Sequence, residues 1–265
     1  MKVRLRRSLG RARAVALQAA SVGVILCVWA ALTWGPAESR VLSPLTVPSP
    51  AEVVGQIKSL WFDAALTRST LWSLSRIALG FGLAALVGIP LGILAGCFRT
   101  VESALAPPGV FLRNVPIAAL IPLTLVWFGL GETQKVFFIF IACVGFVFFD
   151  TTRAVLEVDE RFVETAYTLG AGERHVIFKV LIPLALPDIV NSLRLLFGIA
   201  FGYIVLAELI DAKHGLGYII QVAQRRGPRE HIYLVLVLIS LLALGLDRAL
   251  FALQKKLFPY RFVKE

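Results

Sequence analysis

The sequence predicts an all-α integral membrane protein with about six transmembrane helices, and three observations carry that prediction. Of its 265 residues, 58% are hydrophobic and 17% charged, where a soluble domain carries about 25% charged residues. Several apolar runs are long enough to cross ~30 Å of hydrocarbon, which at ~1.5 Å per residue takes ~20 residues of helix. The net charge of +10 collects between those runs, as Lys and Arg do in cytoplasmic loops. A large soluble α domain leaves the runs unexplained. Nucleic acid, which such a charge would suggest for a soluble protein, is set aside as a partner for the same reason.

The elements follow in order. A basic tail, 1–14, holds Lys2, Arg4, Arg6, Arg7, Arg11 and Arg13 and precedes a first span at about 15–34. That run is longer than the apolar core of a signal peptide, and Trp34-Gly35-Pro36 is no small-residue cleavage site, so a retained anchor is expected. Residues 35–71 start Gly-Pro and contain Pro44, Pro48 and Pro50, which predicts extended chain until a helix begins at Pro50 or Ala51. The second span, about 72–96, has Gly80, Gly82, Gly88, Gly92 and Gly96 at spacings that allow close helix packing. Arg76, near its outer end, is placed to snorkel toward headgroups. The third span, about 108–129, is interrupted by Pro116 and Pro122 and preceded by Pro107 and Pro108, so a kink or an interfacial preface is expected. Further spans are predicted at about 134–150, 182–208 and 232–253, followed by a tail, 254–265. The connection 151–181 is long, and Asp159 is placed to cap a short helix whose first turn is acidic. Gly170 closes that helix, Gly172 marks a second break, and Pro183 and Pro187 stand where the fifth span begins. Neither an internal repeat nor a second domain is apparent.

With the amino terminus inside, cytoplasmic segments hold the basic tail, Arg99, Arg113, Arg153, Arg161, Arg174, Lys179, Lys255, Lys256, Arg261 and Lys264. External segments hold half as many: Arg40, Lys58, Arg68, Lys135, Lys213, Arg225, Arg226 and Arg229. The bias favours this orientation, although Arg225, Arg226 and Arg229 run against it locally. Those three are read either as a solvated loop face or as a patch that docks an acidic partner or gathers anions. Cys27, Cys97 and Cys143 lack paired spacing and read as buried small hydrophobes. His175, His214 and His231 are scattered, so no metal is expected.

Ionisable groups inside spans are candidates for function. Arg194 either faces a path and attracts an anion or snorkels to headgroups. Glu208 is placed to pair with Arg76 across the bundle, as a lock of one state, and Asp150 to cap the helix of the following loop. That helix, near 160–169, has apolar Phe162, Val163, Ala166, Tyr167 and Leu169 beside Asp159, Glu160, Arg161 and Glu164. A helix of three turns is marginal alone, so it packs on its own bundle, lies at the interface, or fits a groove on another protein.

Glu164-Thr165-Ala166, Gly170 four residues on, and Val180-Leu181-Ile182-Pro183 ten beyond the glycine resemble the EAA signature of importer permeases of the ATP-binding cassette (ABC) superfamily. The chain departs from it at Thr165, Val180 and Ile182, each a change that keeps size and character. Leu45 to Pro50, the Gly-rich Leu79 to Gly96, Pro116 to Gly131, Glu208 and Gly215-Leu216-Gly217-Tyr218-Ile219 resemble the nitrate, sulfonate, taurine and bicarbonate subfamily. Asp150-Thr151-Thr152 departs from the small and Asn-rich residues of that subfamily. The similarity covers about 45–250.

The resemblance implies a type I ABC importer permease fold in the inner membrane, multi-pass, with a cytoplasmic coupling helix. It implies a second permease copy, two cytoplasmic ATP-binding subunits and an external substrate-binding protein as partners. Glu164, Thr165, Ala166, Gly170, Ala171 and Pro183 would couple to the ATPase, and Arg76, Arg194 and Glu208 would serve translocation or gating. ATP and magnesium would bind the partner, since this chain lacks a GxxxxGK loop, leaving this subunit non-catalytic and without a cofactor. The solute would be small and anionic, with an uncharged vitamin precursor as the alternative. A membrane scaffold whose loop recruits another partner is the rival from a different class. A membrane enzyme is disfavoured by the absence of convergent His, Asp and Cys.

Overall fold

Helix α1 (Arg11–Leu32) is the first apolar run, and its surface is exposed along nearly its whole length. The structure, a computed structural model, describes residues 10–36, 38 and 40–261. Lys2, Arg4, Arg6, Arg7 and Lys264 therefore lie outside the described residues. The far end of α1 is tied down: the Trp29 indole donates to the Pro48 carbonyl at 3.0 Å and stacks on Tyr233. The following loop ends at α2 (Pro50–Gly55), where Ser49 and Glu52 form a reciprocal capping box with proline in the first turn. Arg40 reaches the same carboxylate at 2.8 Å. A short α3 (Ile57–Phe62) follows, and Ala65, in the left-handed region at φ 48°, turns the chain into α4 (Leu66–Cys97). This helix starts six residues before the predicted second span.

The third span is a broken one. Helix α5 (Arg99–Asn114) and a segment ending in α6 (Ile121–Phe128) meet at 93°. Pro116 pushes Val115 into extended backbone, and the 3₁₀ turn Ile117–Leu120 redirects the chain. Among the described residues, five helices are long and apolar enough to cross a membrane, six if the bent pair counts as one span. Helix α7 (Glu132–Leu156) follows, then the short α8 (Glu160–Thr168) and α9 (Glu173–Val176). A single π turn, Ile177–Leu181, carries the chain into α10 (Ile182–Asp211). That turn accommodates Pro183, which cannot donate to the helix ladder and crowds the carbonyl four residues back. Residues 213–229, predicted as loop, contain α11 (Leu216–Arg226), and α12 (Glu230–Leu257) completes the bundle.

The centre of the fold is the α4–α7 pair. At Gly80, Gly88, Gly92 and Gly96, a Cβ would come within 3.0 Å of Ile139, Val147, Thr151 and Val155. Glycine at four-residue spacing thus forms a seam against four-residue spacing on α7, the means by which helices approach closely in lipid. Gly82, off that face, has open space. Helix α10 closes the core, with Ile204, Ala200 and Phe201 packed against Ile77, Phe138 and Ile139. Gln254, in the last turn of α12, and Arg261, just past that helix, bond the Pro187 carbonyl at 3.1 Å and Asp188 at 2.5 Å. Of the three cysteines only Cys143 is buried; Cys27 is exposed, because α1 has little of the bundle beside it.

Alternation of the long helices gives the bundle two ends. The start of α4, α7 and α12 and the end of α1, α6 and α10 share one, and all five tryptophans lie near it. It is called the tryptophan end below. Helices α8 and α9 lie at the other, the loop end.

Candidate functional site

The loop end presents a helix built to be exposed. Asp159 caps α8 by accepting the Arg161 N–H at 3.0 Å, and the Arg161 guanidinium holds its carboxyl below the usual carboxylate range. Asp150 does not serve as this cap: it lies inside α7, well before that helix ends. At the other terminus the Gly170 N–H donates to the Tyr167 carbonyl at 2.9 Å and the Ala171 N–H to that of Ala166 at 3.0 Å. With Gly170 at φ 83°, this is a Schellman cap, which glycine adopts without a Cβ clash. No residue of α8 is buried, and Phe162, Tyr167 and Leu169 are 53%, 49% and 82% exposed. The structure brings Glu164, Thr165, Ala166, Gly170 and Ala171 into one short hook. Pro183 lies apart from it, at the first turn of α10.

At the tryptophan end lies a buried ion cluster. Arg76 is 2% exposed, so it does not snorkel but turns into the bundle, onto carboxylate partners. Its Nη1 donates to Glu208 at 2.6 Å and to the His214 carbonyl at 2.7 Å. Its Nε and Nη2 form a fork on Glu132 at 2.5 and 2.7 Å, the bidentate geometry that favours arginine. Trp72 lies under the guanidinium at 5.5 Å and stacks on the His214 ring. Glu208 is fully buried and also accepts Ser73 Oγ at 2.8 Å and the Gly217 N–H at 2.9 Å. Ser73 Oγ in turn accepts the Leu216 N–H at 2.9 Å. The orphan amides at the start of α11 are thus satisfied from α4 and α10.

Glu132 and Ser73 are the members that sequence reasoning misses. An acid opening a helix is already explained as a partner for the helix dipole, and a serine within a span carries no charge to draw notice.

Arg194 has partners within the chain. Its Nε lies 3.2 Å from Asp247 of α12, and its guanidinium lies over Phe251 at 4.8 Å. The trio on the late loop divides: Arg225 and Arg226 are exposed in the last turn of α11, whereas Arg229 donates to the Leu45 carbonyl.

Residues 88–259 match the family described as binding-protein-dependent transport system inner membrane component. The taurine transport system permease protein TauC of Escherichia coli (strain K12) is 34% identical over 253 residues, which cover 94% of this chain and 90% of that protein. The putative aliphatic sulfonates transport permease protein SsuC of Bacillus subtilis (strain 168) is 32% identical, covering 90% and 85%. The nitrate import permease protein NrtB of Synechocystis sp. (strain ATCC 27184 / PCC 6803 / Kazusa) is 30% identical, covering 91% and 88%. In fold, the chain is similar to an inward-facing structure of the MetNI methionine ABC transporter, with a TM-score of 0.61 at 21% identity over 74% of this chain and 98% of that one. The chain therefore belongs to the binding-protein-dependent family of ABC transporter permeases and is related to its nitrate, sulfonate, taurine and bicarbonate members.

Proposed function

We propose that two copies of this chain, in the type I importer arrangement, enclose the path of an importer for a small anionic solute, each driven through α8 by a cytoplasmic ATPase. The observation that carries the drive is α8 itself: an amphipathic helix held rigid at both ends, with its apolar residues left exposed. A helix of this length needs a surface to pack on, and a cleft on an ATPase supplies one. Glu164, Thr165, Ala166, Gly170 and Ala171 form the contact, and Pro183 sets where α10 departs. ATP and magnesium belong to the ATPase; this chain contributes shape and motion.

In this reading the loop end and both tails, 1–14 and 254–265, are cytoplasmic, which agrees with the excess of Lys and Arg there. The tryptophan end is external, and Arg225 and Arg226 offer charge to an external substrate-binding protein. Transport requires a bundle with two states a few kcal/mol apart, so that closure of the ATPase selects one. Arg76 with Glu208 at the outer end, and Arg194 with Asp247 nearer the loop end, are the polar contacts suited to holding such states. The anionic class is supported by the relatives named for aliphatic sulfonates and nitrate, and the relative named for taurine shares the sulfonate group.

The test is co-purification of an ATPase with the tagged chain. Gly170→Asp places a side chain at φ 83° and a charge in the hook, and is expected to abolish the association and uptake together. Association and uptake left intact by both Gly170→Asp and Glu164→Arg would refute the assignment. Calorimetry on the partner binding protein tests the solute class.

A further inference from the structure

The two helices that flank the loop helix are tied together at their opposite ends by one side chain. Helix α7 ends at Leu156, three residues before the Asp159 cap, and the helical stretch that becomes α10 begins at Glu173. At the tryptophan end, α7 starts with Glu132 and α10 carries Glu208 in its last turn. Arg76 of α4 holds both carboxylates. The same guanidinium holds the His214 carbonyl, just before α11, while Glu208 and Ser73 hold its first amides. There is no slack: a Cβ at Gly215 or Gly217 would lie within 3.0 Å of Glu208. Helix α11 therefore cannot shift without disturbing the cluster.

We infer that Glu132 is a positioning residue for transport, joining the outer end of α7 through Arg76 to α10 and α11, so that motion at the loop helix and motion at α11 are coupled. The two halves of the cluster differ in a way that suits the role. The Glu208 half is buried, and breaking it strands a charge away from water. The Glu132 carboxylate is 51% exposed and that of Glu208 is fully buried, so on opening the Glu132 half releases its acid to water and is the less costly of the two to break. Helix α7, 25 residues long, spans ~37 Å at ~1.5 Å per residue, enough to carry a displacement from one end of the bundle to the other. Coupling of this kind is reciprocal, so a stroke applied at the loop end must be readable at α11. The inference rests on α8 being the coupling helix.

The experiment uses the importer as purified, this chain with its ATPase, reconstituted in nanodiscs and carrying Arg225→Cys on the exposed last turn of α11. The rate of modification by a membrane-impermeant maleimide is measured with and without ATP plus vanadate. The expected result is a change of about fivefold or more on trapping, kept in Glu132→Asp and lost in Glu132→Gln. Arg76→Lys, which leaves a charge beside Glu208 but no fork for Glu132, is the second variant and is expected to lose the change too. A change that persists in the folded, ATPase-bound Gln and Lys variants overturns the inference and reduces Glu132 to a surface partner of a buried arginine. So does a parent complex in which trapping leaves position 225 unaltered. A chain that binds no ATPase at all refutes instead the coupling role of α8, and the inference falls with it.

Discussion

Arg76 shows how a charge is accommodated inside a bundle. Its guanidinium directs its donors to Glu132, Glu208 and the His214 carbonyl, which offsets a desolvation cost of several kcal/mol per ion. The two acids are not equivalent. Glu208→Gln removes the fully buried carboxylate and is expected to destabilise the chain by about 3–5 kcal/mol, whereas Glu132→Gln, half in solvent and still offering Arg76 an acceptor, should cost less, about 1–3 kcal/mol. Denaturation in mixed micelles distinguishes the two. A separate carboxylate supports a pH prediction. The Arg40 guanidinium and the Ser49 N–H hold Glu52 down from 4.5 to about 2. Because its folded value is depressed, the capping box is fully stabilised by this group above pH 4.5 and loses that support as pH falls toward about 2. A carboxyl NMR titration of Glu52 should have its midpoint near pH 2, moving up in Arg40→Ala; a midpoint near 4.5 in the parent would contradict the geometry. Arg76 and Glu208 were legible as ionisable groups within spans, and their pairing was a reasonable expectation. Glu132 was not, because its position at a helix start already had a sufficient explanation.

Among the elements, the α4–α7 seam is the most demanding contact. Gly92→Leu would drive a side chain into Thr151 and the Phe148 carbonyl and is expected to cost at least about 1–3 kcal/mol through overpacking. Gly82→Leu, with nothing within 4 Å, should be near neutral. Thermal unfolding of the two variants, compared under one detergent condition, decides whether the seam is as tight as the geometry requires. The seam was half legible: Gly80, Gly88, Gly92 and Gly96 fall on one helical face, but nothing local names α7 as the partner. The break between α5 and α6 was foreseen as a kink from its prolines, yet its 93° angle depends on how the two pieces pack. Helix α11 escaped notice because a short helix of mixed polarity between a glycine and a basic cluster has a weak periodic signal. Its N-terminus is held by residues of other helices.

For the whole molecule, orientation follows from charge and is open to a direct check. In intact spheroplasts, Lys213→Cys at the tryptophan end should react with an impermeant maleimide, and Arg161→Cys on α8 should react only after permeabilisation. The reverse pattern would invert the topology. Among the described residues, α1, α8 and much of α12 leave apolar side chains exposed in the isolated chain, and all three belong to regions for which lipid or partner subunits supply contacts in the proposed assembly.

Apolar run length, the charges between runs and the ordered loop residues were enough to read the bundle, its family and the hook at Glu164 to Gly170. Each acts within a few turns of chain: a helix must be long enough for the hydrocarbon, a cap needs an acid at one position, and a Schellman turn needs a glycine at another. The cluster at the tryptophan end is of another kind. It joins Arg76 to Glu132 and Glu208, 56 and 132 residues further along the chain, and exists only because α4, α7 and α10 pack with particular rotations about their axes. Rotation is set by the seam of glycines and the shapes that fill it, and so the partner of each buried charge was a property of the packed bundle.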